Sequence, residues 1–457
     1  MTANQKLGSA LYAAHNQYVE HSLKNRRFKH KDIVPLLAAL EASSTAQVIE
    51  LGRSVEERSI KEIRLGAGDK NIMLWSQMHG NEPTATMAIF DMIHFLESKE
   101  SDFEEMRATI LANLNLSFIP MLNPDGVERF QRRNAVELDI NRDAVAMACP
   151  ESRILKAAHE KNKPVFGFNL HDQSAHYNVP RTKNTATHSF LAPAYNYAKD
   201  INETRKAAMQ GIALMSEVLE HLLPNHTGRY NDDFEPRAFG DNIQLWGTST
   251  ILVEAGGLRG DPDKQEIRRM HFSILLCLLY NIAIDGVKKY SLDEYWTIPE
   301  NDRKLNDLII RNVLLPSLGE KIDISINKVE SELDTGGFTT HGEIVDLGDL
   351  STLFGYEEFD ANGLEFAPAA YLSEILDNDE GISRLDYKTL LAEGIGVVRI
   401  KNYQPMPHHF RIPMLLIDAN DITEIFLKPS ESCAFLLRDV SGIKFAVING
   451  NIIKIEL

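Results

Sequence analysis

The stretch MHGNEPT places His79 and Glu82 three positions apart, where an apolar run gives way to a turn. A strand ending at Met78 would deliver His79 to the sheet edge at which α/β proteins bind ligands. Pro83 suits the first turn of a following helix, which would return Glu82 to the side of His79. An imidazole and a carboxylate form a donor set typical of hydrolytic zinc. The pair therefore predicts two metal ligands; the alternative is a capped turn with a hydrogen-bonded histidine.

The same spacing recurs at His94 and Glu97, so position must decide between the two pairs. The residues around His94 predict a helix whose apolar stripe runs through Ala85 and Leu96. At about 100° per residue, His94 falls about 180° from Ala85, on the opposite face. We therefore predict that His94 is a solvated surface residue and not a ligand.

Two further apolar runs end in residues that suit metal chemistry. VFGFNLHDQ leads to His171, which would land on the same sheet edge as His79 and supply the third ligand. TSTILVEAGG leads to Glu254, and a glycine pair would then end the strand. A carboxylate exposed at a strand end beside a metal suits general-base work.

Two polar stretches lie between these runs. NPDG begins at Asn123, directly after the apolar LNLSFIPML, and is a strong turn signal. RRNAVELDINRD then offers Arg133, Asn141 and Arg142 as hydrogen-bond donors. The planar guanidinium of arginine matches a carboxylate bidentately, which favours a substrate clamp. The alternative is ordinary surface charge.

The ordered motifs resemble those of a known enzyme family. HGNE, NPDG, an Arg-Asn pair followed by DINR, a strand-final histidine and ILVEAGG resemble the zinc carboxypeptidases over residues 60–290. The spelling MHGNE resembles the regulatory branch more than the digestive branch, which usually has arginine at the position of Asn81. The resemblance implies a metallocarboxypeptidase that hydrolyses the C-terminal peptide bond of a substrate with a free terminal carboxylate.

The resemblance also implies a catalytic role for each matched residue. His79, Glu82 and His171 would bind one Zn²⁺ per chain, and Asp139 would orient His79. Glu254 would act as the general base that takes a proton from zinc-activated water.

Substrate binding is implied for a second group of residues. Asn141 and Arg142 would clamp the terminal carboxylate, and Arg133 would polarise the scissile carbonyl. Tyr230 is the nearest candidate for the mobile tyrosine of the family. The floor of the specificity pocket has two candidates, Phe239 and Asp241.

Other functions on the same fold remain as alternatives. HGNE and DINR-like motifs also occur in acylaspartate and succinylglutamate deacylases, so an N-acyl amino acid is an alternative substrate. Cell-wall peptides are another, because the general fold also supports amidases. A third alternative is a non-catalytic binding protein. NPDG and the longer chain favour the peptidase. The presence of Glu254 and all three ligands disfavours a non-catalytic binding protein.

Composition narrows the function classes further. The net charge of −17 and the lack of a long basic block disfavour nucleic acid as a partner. Three widely spaced cysteines predict neither a disulfide framework nor a cysteine zinc site. The N-terminus lacks a signal-peptide pattern, and the longest apolar stretch, 274–284, is too short to span a bilayer. We expect a cytoplasmic protein without membrane contact; its oligomeric state is not readable from the sequence.

These residues require an α/β scaffold to position them. Short apolar runs alternate with helical stretches over 46–290, which predicts a three-layer α/β/α domain with a mixed, mostly parallel sheet. Residues 1–45 predict a helical segment, and 291–457 a β-rich C-terminal domain of unknown role. Within it we expect some helix near 300–315 and 370–395. His408 and His409 suggest either a second metal site or, since neighbours on a strand face opposite sides, a surface loop.

Overall fold

The chain forms two compact units, Met1–Arg303 and Lys304–Leu457. The division follows Arg303 and not residue 290, because Tyr295 and Ile298 are buried in the core of the first unit. His408 and His409 lie outside the described residues. The computed structural model describes residues 1–43, 45–333, 337–407, 412–421 and 427–455.

An eight-stranded mixed sheet forms the centre of the first unit. Its strands are β1 (Gln47–Arg53), β2 (Ser59–Leu65), β3 (Lys70–Trp75), β4 (Leu114–Ile119), β5 (Phe166–Asp172), β6 (His188–Leu191), β7 (Thr227–Arg229) and β8 (Ser249–Ala255). They lie in the order β1-β2-β4-β3-β5-β8-β6-β7. Four of the seven pairings are parallel, including β3 with β5 and β5 with β8, which confirms the predicted mixed, mostly parallel sheet.

Helices cover both faces of this sheet. Alternate residues of β3 enter two different cores: Leu74 joins the larger one and Trp75 the smaller one. The predicted three-layer architecture is therefore confirmed. No helix among the described residues is long and apolar enough to cross a membrane. The helices are α1 (Ala3–Ala14), α2 (His30–Glu41), α3 (Thr84–Glu97), α4 (Glu104–Asn113), α5 (Pro124–Glu128), α6 (Pro150–Asn162), α7 (Glu203–Leu222), α8 (Phe239–Leu245), α9 (Gln265–Ala283) and α10 (Leu292–Trp296).

A buried ionic network attaches the N-terminal segment to this domain. Asp91 on α3 accepts hydrogen bonds from Arg268 of α9 and from the backbone N–H of Glu20, and lies 2.8 Å from His15 Nε2. Arg268 also donates to the carbonyl of Leu23 at 2.7 Å. Asp91 and Arg268 are both fully buried, so each charge depends on the other for compensation.

The second unit is β-rich, as predicted. A seven-strand path runs β11-β10-β9-β13-β17-β18-β19, with β12 paired to β9, and a separate sheet has the order β14-β15-β16. Its one α-helix among the described residues is α11 (Tyr387–Ala392), preceded by a 3₁₀ turn at Asp379–Arg384. The strands are β9 (Leu305–Leu315), β10 (Glu320–Glu332), β11 (Phe338–Gly348), β12 (Phe354–Asp360), β13 (Glu365–Pro368), β14 (Ala370–Tyr371), β15 (Ile395–Ile400), β16 (Leu415–Asp418), β17 (Ala434–Asp439), β18 (Gly442–Ile448) and β19 (Asn451–Lys454).

The helix expected near 300–315 is wrong, because this segment is the long strand β9. Leu308, Ile310 and Val313 of β9 are buried in one core of the second unit. β9 pairs with β10 on one side and with β12 on the other. Pairing with β10 and β12 decides the outcome here, and the local pattern of 300–315 does not contain that information.

We expect Asp91→Asn to lower the free energy of unfolding of the first unit by about 3 kcal/mol, because Arg268 would remain buried without its counter-charge. Urea denaturation followed by tryptophan fluorescence would measure this. All three tryptophans, Trp75, Trp246 and Trp296, lie in the first unit.

The matched control is Lys206→Ala. It removes an ion pair with Glu203 whose side chains are 43% and 91% exposed, and such pairs contribute about 0–1 kcal/mol. Equal effects of the two variants would show that the buried network does not hold the N-terminal segment.

Candidate metal centre and active site

Three side chains from two segments meet in one buried cluster. His79 Nδ1 lies 2.8 Å from Glu82 Oε1, and His171 Nδ1 lies 2.7 Å from Glu82 Oε2. The two Nδ1 atoms are 3.1 Å apart. All three residues are buried, and their ligand atoms can converge on a single ion. The structure thus brings together the three residues predicted as metal ligands.

The loop after β3 carries the first two of these residues. β3 ends at Trp75, three residues earlier than predicted, and the chain reaches α3 through a tight turn in which Glu82 N–H donates to His79 O. Gly80 lies directly against the α5 backbone: a Cβ there would lie 2.0 Å from the carbonyl carbon of Gly126. Only glycine allows this close approach, which sets the position of the loop.

NPDG holds this loop in place. Only a turn was expected here from the sequence, but the motif begins the short helix α5. Asn123 caps this helix by accepting from Gly126 N–H, and Pro124 occupies the first helical position, which suits proline. The Asn123 side-chain amide also donates to Met78 O at 3.2 Å, next to His79. The motif therefore positions the metal loop from behind.

A carboxylate and a guanidinium surround the cluster. Asp139 Oδ1 lies 3.1 Å from His79 Nε2, which leaves Nδ1 of that ring free to bind a metal. Arg132 donates to Asp139 Oδ2 at 3.0 Å and also lies 3.1 Å from His79 Nδ1 and 3.4 Å from Glu82 Oε1. Sequence analysis did not single out Arg132.

Electrostatics at the cluster favours charged carboxylates. Burial alone would raise the pKa of Glu82, but His79 and His171 hold it well below its ordinary value. Asp139 is likewise held low, against its burial, by His79 and Arg132. For His79, burial lowers the pKa, but Glu82 and Asp139 outweigh it and raise the pKa overall.

Glu254 lies beside the cluster on the neighbouring strand. β5 and β8 run parallel with His171 directly opposite Glu254, so both side chains leave the same face of the sheet. Burial raises the pKa of Glu254 to about 8; His171 opposes this shift, whereas Glu82 and Asp172 add to it. A carboxyl group with this pKa can hold and release a proton near neutral pH.

The predicted substrate-binding residues divide into two groups. Asn141 Oδ1 accepts from Phe239 N–H at 3.0 Å, and Asn141 N–H donates to Asp139, so this residue borders the cluster. Arg142 is exposed, with Nε 3.6 Å from Glu235 Oε2. The structure does not bring Arg133 to the cluster, because its guanidinium donates to Glu137 O within its own loop.

Tyr230 lies close to Glu254, directly after β7. Its backbone N–H donates to Phe190 O at 2.8 Å, and its ring packs edge-on against Tyr177 at 5.5 Å. Burial, with added effects of Glu254 and Tyr177, raises its pKa far above the usual range, so the phenol stays neutral.

Both predicted pocket-floor residues are buried at the start of α8. Phe239 is fully buried, and its N–H bonds Asn141 as described. Asp241 accepts from Glu235 N–H at 3.0 Å, and burial raises its pKa to about 7 against that hydrogen bond. Helix α8 therefore joins the predicted pocket to the predicted clamp.

The donor set fits zinc. Two imidazole nitrogens with lone pairs and a carboxylate converge at separations near the roughly 3 Å expected for ligands bonded at about 2 Å to one ion. Electron pairs this close together require a proton or a cation between or beside them, and Arg132 is a cation in contact with His79 and Glu82. His94 does not take part: its side chain is 39% exposed and lies 3.6 Å from Glu20.

Residues 34–217 match the family model of the zinc carboxypeptidases. This segment is therefore similar to the zinc carboxypeptidase domain. The match includes the metal cluster, Asp139, Asn141 and Arg142, and ends before Tyr230 and Glu254. The family comprises metallocarboxypeptidases, which are hydrolases of peptide bonds. The placement of Glu254 beside the metal cluster therefore rests on the pairing of β5 with β8.

Curated proteins similar to parts of this chain are carboxypeptidases. Carboxypeptidase 2 of Trichophyton rubrum is 29% identical over 122 residues, covering 27% of this chain and 21% of the relative. Carboxypeptidase D of Mus musculus is 22% identical over 252 residues, covering 48% of this chain and 18% of the relative. The chain thus spans about a fifth of the length of these relatives.

Solved structures similar to the domain include a metallo-carboxypeptidase from Burkholderia cenocepacia. It is 16% identical, with a TM-score of 0.46, and covers 57% of this chain and 70% of that one. The carboxypeptidase A of Helicoverpa armigera is 17% identical, with a TM-score of 0.44, covering 62% and 81%.

We expect His171→Ala to weaken zinc binding by more than the roughly 10–100-fold that loss of an outer-shell partner costs. Isothermal titration calorimetry at pH 7 would measure the affinity. In the unchanged protein, affinity should also fall between pH 7 and pH 6, because the raised pKa of His79 means that zinc must displace a proton.

The matched control is His94→Ala, which removes the histidine of the second HxxE spacing. It should bind zinc like the unchanged protein. Zinc binding that survives His171→Ala unaltered would disprove the proposed ligand set.

Proposed function

We propose that the chain is a zinc-dependent metallocarboxypeptidase that releases the C-terminal residue of a peptide. The observation that supports this most directly is the arrangement of Glu254 beside a His79–Glu82–His171 cluster, on the strand next to His171. A base adjacent to a three-ligand metal site is the arrangement of hydrolytic zinc enzymes. The proposal includes one zinc ion per chain, and the single cluster of this kind in the described residues supports that number.

Glu254 moves the protons in the proposed reaction. Zinc, when bound, acts as a Lewis acid that lowers the pKa of water. Glu254 accepts a proton from the attacking water and returns it to the leaving amine. Burial raises the pKa of Glu254 to about 8, which supports the second transfer, because the donor in that step is the protonated carboxyl group.

Arg132 takes the role that sequence analysis gave to Arg133. Its guanidinium is fixed by Asp139 and lies at the metal donors, where it can donate a hydrogen bond to the scissile carbonyl as negative charge develops. The Arg133 guanidinium donates instead to Glu137 O, within its own loop.

Asn141 and Arg142 bind the terminal carboxylate in this proposal. Asn141 is oriented by Phe239 N–H, which occupies its Oδ1 and leaves the amide Nδ2 as donor. Arg142 is exposed and can pair with a carboxylate in place of Glu235, which lies 3.6 Å away. Recognition of a free carboxylate distinguishes an exopeptidase from an endopeptidase, and it would equally accept an N-acyl amino acid.

The test uses the zinc-loaded protein and a peptide library in paired free-acid and C-terminally amidated forms, with products read by mass spectrometry. We expect loss of single C-terminal residues from the free acids only. Glu254→Gln should bind zinc normally and show no turnover. Cleavage of both forms would contradict the clamp, and cleavage of N-acyl amino acids alone would reassign the substrate class.

We further expect Arg132→Met to lower kcat by about 10²-fold, because it removes a donor to the developing oxyanion. Arg133→Met is the matched control: it changes the adjacent arginine in the same loop and should leave kcat within about threefold of the unchanged enzyme. Steady-state kinetics on a free-acid peptide would measure both. The reverse order of effects would restore Arg133 to the active site.

A further inference from the structure

Asp172, the residue after His171, contacts the metal loop at two points. Its backbone N–H donates to Glu82 Oε2 at 3.2 Å. Its Oδ2 accepts from the hydroxyl of Thr84 at 2.6 Å, at the first residue of α3. The end of β5 is thereby joined to both ends of the short segment from Glu82 to Thr84.

Lys264 extends these contacts to the strand that carries Glu254. Its Nζ lies 3.1 Å from Asp172 Oδ2 and 3.0 Å from the carbonyl oxygen of Ala255, the residue after Glu254. The lysine and aspartate side chains are only 14% and 5% exposed. One ammonium group therefore links the ends of β5 and β8, the two strands that hold a metal ligand and the proposed base.

Asp172 is the charged partner of Lys264. On another side Lys264 faces a buried pair, His188 and His271, joined at 2.9 Å. Burial lowers the pKa of both histidines, so they stay neutral near pH 7 and do not compensate the ammonium charge.

The backbone of Lys264 has an unusual conformation. The residue immediately precedes α9 and has φ = 53°, in the left-handed region that non-glycine residues seldom adopt. Such a conformation persists only where the surrounding contacts hold it. The turn is held by the backbone N–H of Lys264, which donates to Asp261 O at 3.1 Å, and the ammonium contacts to Asp172 and Ala255 tie the residue to the sheet.

We propose that Lys264 is a positioning residue that fixes Glu254 relative to the metal loop by bridging Asp172 and Ala255. It does not touch the reacting atoms; it acts through the ends of the two strands. This role rests on the proposed function only in that Glu254 is the base. A shift of about 1 Å in a catalytic group can cost about 10²-fold in rate, so a tether of this kind has a measurable effect.

The test compares Lys264→Met, which keeps the length of the side chain without its charge, with Lys264→Arg, which keeps the charge. The matched control is Lys70→Met. Lys70 likewise bridges a carbonyl, that of Ile282, and a carboxylate, that of Asp285, but it lies at the opposite end of β3. Lys264→Gln provides a second uncharged variant if the methionine variant does not fold by tryptophan fluorescence.

Hydrogen exchange of the zinc-free protein is the first measurement. We expect faster amide exchange in 166–173 and 249–257 in Lys264→Met, and no change there in Lys70→Met. Unchanged exchange in both segments would overturn the proposal. This result is independent of peptidase activity, so an inactive unchanged protein would contradict the proposed function without deciding the role of Lys264.

Kinetics of the zinc-loaded protein is the second measurement. We expect Lys264→Met to lower kcat by about 10-fold or more, with KM and zinc affinity within about threefold, and Lys264→Arg to recover most of the loss. A kcat equal to that of the unchanged enzyme, or a loss explained entirely by weaker zinc binding, would overturn the positioning role.

Discussion

Two imidazoles and a carboxylate share one small buried volume at the metal centre, and the rest of the active site depends on this crowding. His79, Glu82 and His171 each place a polar atom within about 3 Å of another, in a region with little water to screen them. Two segments more than eighty residues apart must therefore be held to a fraction of an ångström. The geometry around the site, from backbone contacts to ion pairs, meets that requirement in two ways.

Backbone approach provides the first part of this precision. Gly80 and Gly126 meet without side chains between them, so the metal loop rests directly on helix α5. Asp125 in turn is fully buried and binds Ser54 Oγ, Glu56 N–H and Arg58 Nη1. The loop before β2, helix α5 and the metal loop thus form one continuous support, and NPDG is a structural element of the site as well as a helix start.

Charge pairing provides the second part of this precision, and Glu254 differs from the paired carboxylates. Asp91 contacts His15 and Arg268, and Asp139 contacts His79 and Arg132. These contacts outweigh burial and lower the pKa of both carboxylates. Among the described residues no ion pair is found for Glu254, and its pKa is raised to about 8. The fold stabilises charge on the groups that orient the site and withholds it from the group proposed to carry a proton.

The positions of residues at the ends of regular strands could be predicted from the sequence. Because the carboxyl ends of parallel strands meet at one edge, His171 and Glu254 could be placed together, and β5 and β8 do pair in that register. Loops have no such period, and adjacent positions in them are not equivalent. Arg132 donates a hydrogen bond to Asp139 beside the cluster, whereas Arg133 donates to Glu137 O. Which of the two adjacent arginines lies at the active site therefore depends on a contact that residue spacing does not reveal. The contacts of Lys264 were still less predictable. Asp172 lies ninety-two residues before it and Ala255 nine residues before it, and only the folded sheet brings the two together.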